Sequence, residues 1–135
     1  MIHDEYAAGL FDGEGSIGIY RNKGSKDSRY RSGKRGPCWI RSVAINMCWK
    51  PILLEFSDRF GGSVKTHRDN SGKRNKVLWQ WKLGSRASIV SFLTVICPHL
   101  REKREQAETM LLEISGDLST QVACDDLKRL KKVST

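Results

Sequence analysis

The sequence predicts an α+β domain of αββαββα type, with one four-stranded antiparallel sheet carrying helices on one face only. Three observations predict it. Residues 15–22, 38–48, 63–69 and 77–83 alternate apolar with polar side chains, the period of a half-buried strand. Stretches with helical spacing flank and separate them, in the order helix, two strands, helix, two strands, helix, helix. The apolar strand positions can all point one way, which leaves the opposite face polar and basic. A chain of 135 residues can bury one real core, and no internal repeat or linker divides it. Residues 1–116 form the expected domain, with 117–135 as a C-terminal accessory helix or tail.

The first helix runs from Ile2 to Asp12, with Leu10 and Phe11 as its apolar positions. Gly15 is placed to end it, since glycine takes a left-handed turn at little cost. Gly9 and Gly13 lie four apart on one face, beside Ala8. Each glycine weakens a helix by about 1 kcal/mol relative to alanine, which makes sense where a second backbone must come close. Glu14 falls at the helix C-terminus, where the last carbonyls already concentrate negative charge. Carboxylate and carbonyl oxygens together suit a hard divalent cation.

In the first strand Ile17 and Ile19 face the core, and Gly18, Tyr20 and Asn22 face away. A polar, basic loop spans 23–37. In the second strand, Cys38 to Cys48, Val43, Ile45 and Met47 share the core face, and Ser42, Ala44 and Asn46 the other. Arg41 has the parity of the apolar set, which suggests a bulge or a flared end. Lys50-Pro51 opens the next helix, Leu53, Phe56 and Phe60 form its stripe, and Gly61-Gly62 ends it. The third strand points Val64 and Thr66 inward, and Lys65 and His67 outward. Asp69-Asn70-Ser71-Gly72 has turn chemistry, followed by the basic tip Lys73 to Lys76. In the fourth strand Val77, Trp79, Trp81 and Leu83 share one face, and Leu78, Gln80 and Lys82 the other. Ser85 caps a helix with the stripe Ile89, Leu93 and Ile96, broken by Pro98. A last long helix is expected over 99–114, with the stripe Leu100, Lys103, Ala107, Met110 and Ile114. Lys103 is the anomaly, a cation among core-facing positions. It reads either as a lysine snorkelling to the edge or as one held beside a phosphate. A short helix over 125–132 places acids before bases, as the helix dipole prefers.

Net charge is +9 and unevenly placed. Residues 1–18 hold no Lys or Arg, whereas residues 20–41 hold eight against Asp27 alone. A polyanion is the natural partner. The four cysteines show no Cys-x-x-Cys spacing and read as reduced intracellular thiols. No apolar run reaches transmembrane length, and acids near the start argue against a targeting peptide. Neither a membrane nor a small-molecule substrate is expected.

Ala7-Ala8-Gly9-Leu10-Phe11-Asp12-Gly13-Glu14-Gly15 resembles the motif of the LAGLIDADG homing endonucleases, with alanine in place of the first leucine. Pro98 to Ala107 resembles the late segment of that family, in which a lysine shortly precedes Gln-Ala. The resemblance covers about residues 5–115. It implies a site-specific DNA endonuclease that needs Mg²⁺, cuts a long near-palindromic duplex site and works as a homodimer, since one chain carries one motif. It implies Glu14 as metal ligand assisted by the Gly13 carbonyl, and Lys103 as the basic residue beside the scissile phosphate. Ala8, Gly9, Asp12 and Gly13 become interface candidates. Asp12 is expected to act structurally, as a hydrogen-bonding group at the helix end. Asn46 is the candidate for the polar residue that organises water in the family, although its parity differs from a simple match. On the open face Tyr20, Asn22, Ser42, Lys65, His67, Gln80 and Lys82, with Arg41, are placed to meet DNA. Lys there suits guanine, while Asn and Gln suit adenine. Arg29, Arg31 and Arg74 are placed to hold phosphates. A non-cleaving DNA-binding regulator and an RNA-binding intron maturase predict the same basic sheet, but neither requires Glu14 and Lys103 together.

Overall fold

The computed structural model describes residues 2–22, 25–26, 34–35, 38–67 and 77–133. Helix α1 (Asp4–Glu14) leads directly into β1 (Gly15–Asn22). Two short strands, β2 (Ser25–Lys26) and β3 (Lys34–Arg35), pair as an antiparallel ribbon inside the expected loop. They are followed by β4 (Cys38–Met47), α2 (Lys50–Phe60), β5 (Ser63–His67), β6 (Leu78–Leu83) and α3 (Arg86–Ile96). A 3₁₀ turn (Cys97–His99), α4 (Arg104–Ser115) and α5 (Thr120–Val133) complete the chain. The main sheet has the order β1-β4-β6-β5, antiparallel throughout. The fold class is the predicted one. No described helix is long and apolar enough to cross a membrane.

The core lies between the sheet and the helices. Phe92 of α3 stands at its centre, with ring centroids 5.2 Å from Phe11, 4.8 Å from Phe60 and 5.0 Å from Trp81. Most strand parities hold: Ile17, Ile19, Val43, Ile45, Trp81 and Leu83 are buried on the helix side, while Thr66 and Val77, expected inward, lie exposed at strand ends. Trp79 is half-buried at the end of that face, with the Lys50 ammonium 4.2 Å from its ring centroid. Trp81 donates its indole N–H to the Gly61 carbonyl at 2.8 Å. Gly61 and Gly62 both take positive φ, and a Cβ on Gly62 would lie 2.6 Å from the Lys82 carbonyl oxygen. The Ser85 cap forms as expected, its hydroxyl accepting from the Ser88 N–H at 3.2 Å.

Four expectations are corrected. Gly15 is extended, with φ −84° and ψ 166°, not left-handed. It must be glycine for another reason: a Cβ would meet the Phe11 ring and lie 2.6 Å from the Phe11 carbonyl oxygen. The β1–β4 register runs unbroken from Gly15↔Ile45 to Asn22↔Cys38, so no bulge explains Arg41. The helix expected over 99–114 is interrupted. Residues 100–103 form a non-helical turn, and Lys103 is the N-cap of α4 rather than a position on its stripe. The last helix starts earlier than expected and packs on β1 and α4, burying Ala123, Cys124 and Leu127 in the common core.

Candidate functional site

Helix α1 sorts its residues by face. Ala7, Ala8 and Phe11 are buried against the protein's own core. Ala8 is therefore not available to a partner, which corrects its placement at an interface. Tyr6, Gly9, Gly13 and Glu14 are exposed. A Cβ on Gly9 or Gly13 would meet nothing within 4 Å, so this face of the helix is open in the single chain. Asp12 points elsewhere. Its carboxylate accepts from the backbone N–H of Arg101 at 2.7 Å and of Lys103 at 3.0 Å. Its carbonyl accepts from the Lys103 ammonium. Asp12 is thus the hydrogen-bonding group at the helix end that the sequence suggested, spent within its own chain.

The half-buried Lys103 therefore lies at the last turn of α1, two residues before Glu14. A cation there complements the carbonyl pole of the helix. In the same turn the Phe11 carbonyl accepts from the Gly15 N–H. Strand register adds Asn46. Gly15 pairs with Ile45, the last rung of the β1–β4 ladder, and Asn46 follows Ile45 on β4. Asn46 pairs with Gln80, and Gln80 with Lys65, which makes one polar row across the sheet at this end. The next row on the open face runs Ser16, Ala44, Lys82, Ser63. Beyond it lie Gly18 with Ser42, and Tyr20 with Ile40. Asn46, Lys65 and Lys82 are exposed, Ser42 and Gln80 half-buried. Tyr20 is 50% exposed, and the Lys131 ammonium of α5 lies 5.7 Å from its ring centroid. Asn22 and His67 occupy positions in β1 and β5. Arg29, Arg31 and Arg74 lie outside the described residues.

Arg41 does not belong to this surface. Its side chain faces the helices and forms a two-pronged ion pair with Glu113 of α4, Nε to Oε2 at 2.6 Å and Nη2 to Oε1. The Thr120 hydroxyl donates to the same Oε1 at 3.0 Å. The hydrogen bonds from Arg41 hold the Glu113 carboxyl below the usual carboxylate range and raise the Arg41 guanidinium above its ordinary value. Sequence reasoning missed Glu113, which is only 5% exposed. A signal existed. Gln106, Met110 and Glu113 share one helical stripe, all buried, and an inward strand cation needs an inward acid.

Among the described residues no group of three or more His, Cys, Asp or Glu could hold a metal ion. Glu14, exposed at the end of α1, belongs to no such group.

The sequence matches no family model and no curated protein sequence. Solved structures match strongly. The homing endonuclease I-CvuI, solved on the I-CreI target with 2 mM Mg and the DNA not cleaved, superposes with a TM-score of 0.67 and 18% identity. That match covers 94% of this chain and 80% of I-CvuI. The homing endonuclease I-TnaI gives 0.58 at 16% identity, over 99% of both chains. The LAGLIDADG homing endonuclease I-SmaMI, bound to cleaved DNA, gives 0.64 at 18% identity, covering 95% of this chain and 43% of that one. The fold of this chain is therefore that of the LAGLIDADG homing endonucleases.

Proposed function

We propose that the protein is a site-specific, metal-dependent endonuclease that hydrolyses both strands of a long, near-palindromic DNA site as a homodimer. One observation carries the reading: the Lys103 ammonium sits on the α1 turn that ends in the exposed Glu14. A binding protein on this fold needs the polar sheet face but has no use for that pairing of cation and carboxylate.

The exposed face of α1 at Gly9 and Gly13 allows a second copy to approach backbone to backbone about a two-fold axis. That pairing brings two Glu14 carboxylates together, one from each chain. Glu14 and the Gly13 carbonyl are the groups that would hold Mg²⁺ or a similar ion, completed by phosphate oxygens and water. When bound, the ion polarises the scissile phosphate and makes water a better nucleophile. The protein's residues do the rest. Lys103 offers positive charge to the phosphate as negative charge builds on its oxygens. Asn46, one position beyond the rung that pairs Gly15 with Ile45, orients water by hydrogen bonding. Lys65, Gln80 and Lys82 read base edges in the major groove, while Tyr20 and Ser42 flank them. Two structures of the homing endonuclease I-CvuI on DNA, one in Mg and one in Ca, support this reading.

The test is cleavage of a randomised DNA pool in Mg²⁺ by wild type and by Glu14→Gln. Site-specific double-strand breaks, lost in the variant while binding persists, are expected. Binding without breaks by wild type in both Mg²⁺ and Mn²⁺ would reject the nuclease and leave a DNA-binding protein on this fold.

A further inference from the structure

The turn between the 3₁₀ segment and α4 has no regular structure of its own, yet it carries Lys103. Helix starts leave backbone N–H groups without intrahelical partners. Here one of them, the N–H of the N-cap Lys103, is served from outside, and the Lys103 side chain makes no cap bond. The acceptor is Asp12, on a different helix and 91 residues earlier in sequence. The same residue acts twice. Its two carboxylate oxygens take the N–H groups of Arg101 and Lys103, and its main-chain oxygen takes the Lys103 ammonium. The carboxylate fixes the backbone on which Lys103 stands, and so brings its ammonium within reach of the main-chain oxygen. The neighbouring cation, Arg104, is directed elsewhere, donating to the carbonyls of Pro98 at 2.7 Å and Cys97 at 3.3 Å.

We propose that Asp12 is a positioning residue for Lys103, fixing both its backbone and its ammonium at the Glu14 end of α1. The proposal rests on the nuclease reading above, and it gives the two motif acids separate tasks. Asp12 faces inward and sets the lysine; Glu14 faces outward and is open to metal. A lysine side chain has much rotamer freedom to lose, so holding it in advance removes that cost from the reaction. An error of about 1 Å in such placement can lower a rate by about a hundredfold.

The full chain is tested on the duplex it selects from a randomised pool by binding in Ca²⁺. Single-turnover cleavage in Mg²⁺ is compared for wild type, Asp12→Asn, Lys103→Ala and the double variant. Asp12→Asn is expected to bind DNA within about threefold of wild type and to cut about 10- to 100-fold more slowly. The double variant is expected to cut no more slowly than Lys103→Ala alone, because Asp12 acts through the lysine. If the two losses multiply instead, Asp12 acts independently and the proposal falls. Amide hydrogen exchange reads the hold on the turn without any cleavage. Selective loss of protection at Arg101 and Lys103 in Asp12→Asn supports the proposal; unchanged protection overturns it. A wild-type chain that binds and never cuts rejects the nuclease reading, and the positioning of a catalytic lysine with it, whatever exchange shows.

Discussion

The Arg41–Glu113 pair shows how one side chain departs from the pattern around it. Arg41 stands at a core-facing strand position between Ile19 on β1 and the helices. A lone guanidinium there would be costly to bury, so its charge is matched by Glu113 and a third hydrogen bond comes from Thr120. Removing one partner leaves the other buried and unpaired. Glu113→Gln and Arg41→Ala are each expected to lower stability by about 3–5 kcal/mol. The double replacement Arg41→Met with Glu113→Leu is expected to lose much less, because apolar groups of similar volume need no desolvation. The pH dependence has a definite sign. The Glu113 carboxyl titrates below its usual 4.5 when folded, so its contribution is complete above that pH. It is lost as the pH falls below 4.5 through the folded value. Thermal melts between neutral and acid pH should show the gap between wild type and Glu113→Gln narrowing on the acid side only. A gap that stays constant with pH would mean the carboxylate is not depressed.

At the scale of the element, periodicity located most of the fold because burial follows the 2.0 and 3.6 repeats wherever nothing competes. The alternation of Ile17 with Ile19 and of Trp79 with Trp81 placed β1 and β6 on the correct face. The repeat failed where a distant side chain outbid the local pattern. Leu100, Lys103 and Ala107 read as helix, yet the Asp12 carboxylate captures the N–H groups of Arg101 and Lys103 and holds the chain open. No local rule could foresee that bond, since its partner belongs to α1. The C-terminal helix was under-read for another reason: its basic residues mask a narrow stripe of Ala123, Cys124 and Leu127. That stripe seals β1, and the Cys124 thiol donates to the Ile19 carbonyl at 3.2 Å. Leu127 is 1% exposed, so Leu127→Ala is expected to cost about 2–5 kcal/mol in urea denaturation. Lys128→Ala, one residue on and exposed, is expected to change stability by less than about 0.5 kcal/mol. Equal small effects at both positions would make α5 an appendage rather than part of the core.

At the scale of the whole molecule, the chain separates an acidic, glycine-lined helix from a basic, polar sheet face. The first 18 residues contain Asp4, Glu5, Asp12 and Glu14 without a single Lys or Arg, while the chain as a whole carries +9. Of these acids, Asp4 pairs with Arg59 of α2 and Asp12 with the turn before α4, so each ties α1 to the rest of the chain. Gly9 and Gly13 do the opposite: a Cβ at either would meet nothing within the chain. Glycine inside a helix lowers stability by about 0.5–1 kcal/mol relative to alanine, so an isolated chain would be better off without them. The proposed assembly through α1 would supply the reason to keep them, because only a bare backbone lets two helices approach closely. Gly9→Leu separates the two demands. Under dilute conditions where both proteins are monomeric, the variant is expected to be at least as stable as wild type in urea, since leucine favours the helix and its Cβ meets open space. At concentrations where wild type sediments as a dimer, the variant is expected to remain a monomer. A variant that still dimerises would place the two-fold axis on another face and leave each Glu14 without its counterpart. A variant that unfolds as a monomer would instead mean that α1 packs within the chain more tightly at Gly9 than its open Cβ position allows.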